Sequence, residues 1–595
     1  MKILFEREVY DHTLLEQYGL TSYAHTDRDN KSIIPYVGYF YSSKINDCIF
    51  ILPKVFIKED NTCNPTRKIA FGKEFKDGNG EYLDIYSIID VDPENNPLKA
   101  HGLDRMVFEL STWIYRAIDR FWIRHHDSDI IKRETSQTVI SVNGENNQTL
   151  LDTILSLVKF HKNHSDLFTY ISIINSTGYN KIHWPKTINK VQPVIQGGKP
   201  YYMEFKNKDK AFNYDEELIV LYYSVLQYLK KTYMFAVQPN INYDLIRPSK
   251  IQSMIENGRG TKLLRKIRRK YFKDELVQLW KLLFAFFSKA ENIQSGKCSN
   301  EALLASTFDR VFEDMVDVLI SHDIFAELKK NKDNKRIDHI YKGMSLLGDG
   351  EIFYIGDSKY YSDGNDIDPD SIYKQFTYAK NIIQHNINLH NKKQDIDGIR
   401  YRDKETDGYN FTPNFFIRGH INLDEMKDGK ACYNEDKLEP HEQEFDANYH
   451  FSDRPFDRDT LLLQSYNINF LYVLASYVND THTGEVQKRL HKLFRDDLIK
   501  KYDTEFDFYK VTPTINRKEF LKKHFYEYRG QMYSLENGEI IFGFNSKKDD
   551  AKYQAKLIAL RTKFSGEATV TEYKLQDSKN SPHALHPSSS SNNNT

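Results

Sequence analysis

Residues 336–360 read Arg336-Ile-Asp-His-Ile-Tyr-Lys-Gly-Met-Ser-Leu-Leu-Gly-Asp-Gly-Glu-Ile-Phe-Tyr-Ile-Gly-Asp-Ser-Lys-Tyr360, two strand-like runs around a Gly-Asp-Gly turn. That is the pattern of a hairpin. A strand sends alternate side chains to opposite faces, so Asp357 and Lys359 share one face while Ser358 takes the other. Asp338 lies 19 positions before Asp357. If the turn centres on Leu347 and Gly348, Asp338 stands near Asp357; a tight Asp349-Gly350 turn puts it opposite Tyr361 instead. In the first register two carboxylates meet. Like charges about 4 Å apart repel by about 4 kcal/mol at an effective dielectric near 20, and a divalent cation removes the conflict. Hard oxygen donors suit Mg²⁺, which takes one or two protein carboxylates and keeps waters or a phosphate in its other positions. Asp338 and Asp357 are therefore the candidate metal ligands, with Lys359 as an electrostatic clamp. Metal-assisted phosphodiester hydrolysis is the chemistry such a set supports.

Outward from the hairpin, a helix is expected from about Asn300 to His322. Phe308, Val311, Phe312, Met315 and Leu319 form its apolar stripe, beside a polar line of Asp309, Glu313 and Asp317. A second helix, from Asp370 to about His385, carries Gln375 and Tyr378 three apart and so on one face. The α-β-β-α order is read as one unit, residues 291–400.

Residues 1–100 read as a β-rich module, with runs such as Cys48–Leu52 and turn signals such as Asp77-Gly-Asn-Gly80. Residues 101–290 read as mainly helical; Met106, Leu110, Trp113, Ile114, Ala117 and Phe121 recur at helical spacing. Within them Arg259, Lys262, Arg265, Lys266, Arg268, Arg269, Lys270 and Lys273 follow one another without an acid. On a helix they leave Leu263, Leu264, Ile267 and Tyr271 to pack. Such a run is either a solvated face or a phosphate-tracking surface giving salt-sensitive, sequence-independent affinity. Residues 401–575, with a strand from about Phe411, an acidic stretch through Asp459 and helices around 461–477 and 486–502, form a further α/β part. Residues 576–595 are a low-complexity tail. The whole is expected to be α+β and multidomain.

At 595 residues the chain exceeds what one hydrophobic core usually organises. A net charge of −1 gives no global attraction to polyanions, so any nucleic-acid surface has to be local. The four cysteines have no C-x-x-C spacing for zinc and no disulfide framework, which fits a reducing compartment. Glu6, Arg7 and Glu8 interrupt the apolar start, and no run is long enough to span a membrane. A cytoplasmic protein without membrane contact is expected. His101, His125, His126 and His420 have no carboxylate at ligand spacing and are read as packing or surface imidazoles.

An acid on a helix, an Asp at a strand start, D-x-K on the next strand and Q-x-x-Y on a helix, in that order, resemble the PD-(D/E)XK nuclease superfamily. More narrowly, the chain resembles the LlaJI restriction endonucleases, which are similar to the McrC-type subunits of GTP-driven restriction systems. The likeness runs from about Tyr36 to Tyr533. It is carried by Ile49-Phe-Ile-Leu-Pro-Lys-Val-Phe56, Glu217-Leu-Ile-Val-Leu-Tyr-Tyr-Ser224, Leu264-Arg-Lys-Ile-Arg268, Tyr354-Ile-Gly-Asp-Ser-Lys-Tyr360 and Arg458-Asp-Thr-Leu461 through Tyr466-Asn-Ile-Asn-Phe470. The resemblance implies a restriction-endonuclease-like core in which Glu313 is the helix acid, Asp338 and Asp357 hold Mg²⁺, Lys359 is the catalytic lysine and Gln375 supports them. Ile337 stands where the superfamily name has proline, and Asp replaces the commoner Glu before x-Lys.

The resemblance also implies double-stranded DNA as substrate and an McrB-like AAA+ GTPase as partner, with a homodimer left open. Gly197-Gly198-Lys199-Pro200 and Gly296-Lys297-Cys298 lack the phosphate-loop pattern, so any GTP would bind elsewhere. The competing readings are a self-sufficient Type II endonuclease and, from another class, a non-catalytic DNA-binding or assembly protein.

Overall fold

Residues 345–350 connect two antiparallel strands, His339–Met344 and Glu351–Lys359, with His339 opposite Gly356 and Met344 opposite Glu351. The hairpin therefore turns about Leu347 and Gly348, not on a tight Asp349-Gly350 pair. Gly348 and Gly350 take φ of 73° and 74°, values that residues with a Cβ adopt at a cost. Ser345 Oγ accepts the Asp349 N–H at 3.0 Å and holds the loop together. One step outward from the His339–Gly356 pair, Asp338 stands opposite Asp357.

The computed structural model describes residues 2–575 apart from 61–66, 72–74, 77–81, 84–103, 135–148, 165–169, 176–180, 233–236, 295–299, 323–327, 330–335, 362–366, 422–437, 441–452, 547–554 and runs of one to three residues. The 576–595 tail, the Asp77–Gly80 turn signal and most of the acidic stretch before Asp459 thus lie outside the described residues.

The second hairpin strand pairs in parallel with Asn414–His420, and that strand pairs in parallel with Gln464–Asn469. Leu438–Pro440 closes the far edge antiparallel. Parallel neighbours need a long crossover, and helix Pro369–Asn391 supplies it. The helix opens on Asp368, whose carboxylate accepts the Asp370 N–H, and on Pro369 at its first turn. Helix Phe308–Ile320 packs against the sheet face that carries Ser358 and Tyr360; the Phe308 and Phe312 rings lie 5.6 and 5.9 Å from Tyr360. From helix Thr483–Glu505, His491 stacks on Tyr341 at 3.7 Å and Phe494 on Phe415 at 4.7 Å. Helical cover explains why residues 352–356 are all buried rather than alternating.

A second five-stranded sheet runs in the order Lys2–Phe5, Asp47–Leu52, Val37–Ser42, Glu301–Ala305, Ile131–Glu134. It overturns one expectation: the helix starting near Asn300 begins only at Phe308, and Glu301–Ala305 is a strand buried at every position. A short apolar run has no periodicity that separates strand from helix, and only its two sheet neighbours decide. The same holds near residue 461. Gln464–Asn469 is a strand, and the helix starts at Phe470 with Asn469 Oδ1 accepting the Leu471 N–H at 2.9 Å. The mainly helical middle also holds the strand pairs Tyr170–Asn175 with Asn207–Phe212 and Val194–Gln196 with Lys199–Tyr201.

The C-terminal part adds a four-stranded sheet with helix Arg517–Tyr528. The architecture is mixed α and β, and one apolar cluster extends from Ile3 to Leu575. Tyr360 OH donates to Glu6 Oε2 at 2.7 Å, joining the hairpin to the N-terminal sheet.

Candidate active site

The register and the pleat bring Asp338, Asp357 and Lys359 to one face of the hairpin. Lys359 Nζ lies 2.5 Å from Asp357 Oδ2, with both side chains less than one-fifth exposed. This ion pair is the contact made by the buried Oδ2. Asp338 Oδ2 accepts the Ser358 N–H at 3.0 Å. Glu313, on helix Phe308–Ile320, is close enough to be repelled by both hairpin carboxylates.

Burial dominates the electrostatics. It lifts the Asp338 carboxyl well above the usual range, reinforced by Asp357 and Glu313 and opposed by the Ser358 N–H. Burial, then Asp357 and Asp309, push Glu313 up to about 7. Burial works against the Lys359 ammonium, but Asp357 beside it keeps its pKa above the ordinary lysine value. The site therefore holds a fixed cation and more carboxylates than can ionise together at neutral pH.

Among the described residues, no group of three or more His, Cys, Asp and Glu side chains is drawn together tightly enough to hold a metal ion. The donor set is two facing carboxylates, one of them ion-paired to Lys359, and a third acid nearby. Mg²⁺ fits such a set, because it needs few protein ligands and its charge offsets the repulsion.

Gln375 is placed differently from the acids. It is fully buried, and its Nε2 donates to Ile355 O at 3.4 Å, bracing the strand two residues before Asp357 while its Oε1 has no partner. Nor does the basic run join the acids. Its α-helix covers Arg259–Ile267, a 3-10 turn covers Arg268–Lys270, and the chain is extended at Tyr271. Leu264, Ile267 and Tyr271 are buried. Arg265 and Arg268 lie over the Phe284 and Trp280 rings at 5.6 and 5.2 Å, and Lys270 pairs with Glu217 at 2.7 Å. Arg259, Lys262, Lys266 and Arg269 are exposed.

A buried network behind the acids has no counterpart among the features expected from the sequence. Asp317 Oδ1 accepts from Lys329 Nζ and Ser321 Oγ and lies 3.2 Å from His339 Nδ1; His339 Nε2 is 2.5 Å from Ser358 Oγ. Despite burial, His339 and Lys329 hold the Asp317 carboxyl well below the usual range. The Ser-His-Asp order resembles a nucleophile relay, but Ser358 is only 4% exposed and His339 fully buried, so no substrate reaches the hydroxyl. Its effect is positional: Lys329 Nζ donates to Asp338 O at 2.9 Å, and Ser358 sits between Asp357 and Lys359. The alternation of Asp338 with His339, and of Asp357 and Lys359 with Ser358, was the available signal.

A cleft of about 730 Å³ opens onto Glu313 and Asp338. Helix Asp104–Arg124 and the residues just after it form one wall; Arg124 and His125 reach Asp314 at 3.2 and 2.8 Å, and Tyr477 OH donates to the same carboxylate at 2.6 Å. His125 is thus a hydrogen-bond partner of Asp314, and His126 packs edge-on to Trp122 at 5.0 Å.

No curated protein matches this sequence. A refined half-complex from the tetradecameric assembly of Thermococcus gammatolerans McrB AAA+ hexamers with bound McrC aligns with 80% of this chain and 98% of that chain at 10% identity. Its TM-score of 0.27 is too low to carry an argument. Residues 104–394 match the family model for the LlaJI restriction endonuclease, a span that includes the basic helix, Glu313, the whole hairpin and Gln375.

Proposed function

We propose that this chain is a Mg²⁺-dependent endonuclease that hydrolyses phosphodiester bonds of double-stranded DNA in a restriction, hence anti-phage, system. The observation that carries the reading is the meeting of Asp338, Asp357 and Lys359 on one hairpin face with Glu313 beside them, inside the family-matched segment. Their order along the chain and their placement on a mixed sheet favour a PD-(D/E)XK core. In it Asp338 and Asp357 hold the metal, and Glu313 and Gln375 support them.

A bound divalent cation supplies Lewis-acid stabilisation of charge on the phosphate oxygens. Lys359, kept cationic by Asp357, offsets negative charge as it builds on the phosphate. The Asp317–His339–Ser358 network and Lys329 hold the strand backbone, which keeps the acids aimed. The exposed cations of the basic helix add sequence-independent affinity for the backbone of the duplex. A cytoplasmic McrB-like AAA+ GTPase partner is the further proposal; it rests on the sequence resemblance to McrC-type subunits.

The test is plasmid digestion by the purified chain with Mg²⁺, with and without GTP and an McrB-like AAA+ protein, for wild type and Asp357→Ala. Wild type cuts and the variant loses at least about 100-fold in rate. Cutting that needs the motor and GTP supports a multi-component system, whereas efficient cutting without them assigns a self-sufficient enzyme. If Asp357→Ala protein still restricts phage like wild type, the nuclease reading is lost and a non-catalytic role replaces it.

A further inference from the structure

The cleft that opens onto Glu313 and Asp338 divides its charges by depth. Asp314 is committed to Arg124, His125 and Tyr477, and Asp317 to Lys329, Ser321 and His339. The lining cations left over are Arg310 and Arg336, both exposed and, among the described residues, without an ion pair. Each sits next to an acid of the candidate site. Arg310 is in the first turn of helix Phe308–Ile320, three residues before Glu313 and so on the same helix face. Arg336 precedes Asp338 by two residues.

Two guanidinium groups without an ion-pair partner among the described residues, at the rim of a carboxylate floor, act on any anion that enters there. A guanidinium matches two phosphate oxygens with two parallel N–H donors, and it binds where a carboxylate floor would repel an unescorted polyanion. Arg310 lies in the N-terminal turn of helix Phe308–Ile320, the end at which the helix dipole favours an anion.

We propose that Arg310 and Arg336 form a phosphate clamp that seats the DNA backbone in this cleft, gripping phosphates beside the one presented to Glu313 and Asp338. The assignment rests on the nuclease reading for its orientation, but the clamp itself is read out by binding. It locates the path of the cut strand between helix Asp104–Arg124 and helix Phe308–Ile320, apart from the basic helix, none of whose cations lines this cleft.

The test is fluorescence anisotropy of a short labelled duplex with the full chain in EDTA, over a salt series, for wild type, Arg310→Ala/Arg336→Ala and Arg310→Lys/Arg336→Lys. Both side chains are exposed, so the folds should be unaffected, which circular dichroism checks. The alanine pair should weaken binding roughly tenfold at low salt and flatten the log–log salt slope by about 1 to 2, while the lysine pair restores most of the slope. In cleavage assays the alanine pair should raise KM more than it lowers kcat. Wild-type cutting together with unchanged binding, salt slope and KM in the alanine pair overturns the clamp and leaves the nuclease reading standing. A wild type that binds but does not cut even with Mg²⁺, GTP and an McrB-like AAA+ protein, with binding lost in the alanine pair, supports the clamp and defeats the nuclease reading. A wild type that does not bind duplex overturns the clamp.

Discussion

Asp338 carries the largest conflict of any single residue in the site. It is half-buried, faces Asp357 and Glu313, and has one backbone N–H in compensation. With its pKa raised in the fold, the ionised carboxylate is less favourable in the native state than in the unfolded chain, and that costs stability. Asp338→Asn keeps an oxygen for the Ser358 N–H and removes the repulsion. It should raise metal-free stability by about 1 kcal/mol or more in urea unfolding. Millimolar Mg²⁺ should raise the melting temperature of wild type and leave the variant unmoved; an equal shift in both would remove Asp338 from the metal site. Lys359 makes the opposite case, because its charge serves the reaction. Lys359→Gln should lower kcat by about 100-fold with little change in duplex affinity, measured by single-turnover cleavage and anisotropy.

At the scale of elements, the stacking of His491 on Tyr341 ties helix Thr483–Glu505 to the hairpin, and Ile320 O lies 2.6 Å from His491 Nε2. Burial, with His322 nearby, lowers the His491 pKa to about 4. The unfolded chain therefore binds this proton first as pH falls. The stability held above pH ~6.5 is lost progressively down to about pH 4, by about 3 kcal/mol in all. Chemical denaturation between pH 7 and 5 should show about 2 kcal/mol of that loss, and His491→Phe, which keeps the stack without the titration, should flatten it. The basic helix sits so close to helix Asp274–Gln294 that a Cβ on Gly260 would fall 2.2 Å from the Phe287 ring. Gly260→Val should cost about 2 kcal/mol or more. Replacing Lys262, Lys266 and Arg269 by alanine should lower the salt slope of duplex binding by about 0.9 for each phosphate that these cations neutralise. An unchanged slope would mark the helix as a solvated face.

At the scale of the whole molecule, the two five-stranded sheets share one apolar cluster and are joined by Tyr360 and Glu6. Calorimetry of the full chain should therefore show the N-terminal and hairpin sheets melting together. Tyr360→Phe, which strips the buried Glu6 carboxyl of one of its two donors and leaves the Lys54 N–H, should lower that shared transition by about 1 to 3 kcal/mol. Two separate transitions would contradict the continuity of the core.

Sequence by itself determined what depends on local spacing. The hairpin, the helix stripe from Phe308 to Leu319 and the pairing of Asp357 with Lys359 on one face follow from the periods of strand and helix. Tertiary structure decided what depends on neighbours distant in the chain. Glu301–Ala305 became a strand because Val37–Ser42 and Ile131–Glu134 flank it, and Gln464–Asn469 became one because Asn414–His420 and Leu438–Pro440 do. The register that sets Asp338 against Asp357 depended on which loop the hairpin adopts, and two were open in the sequence. Glu313 and the cleft cations Arg310 and Arg336 acquire their meaning only when the helix that carries two of them packs beside the hairpin. Backbone periodicity is a local property, whereas burial, pairing and the meeting of charges belong to the packed chain.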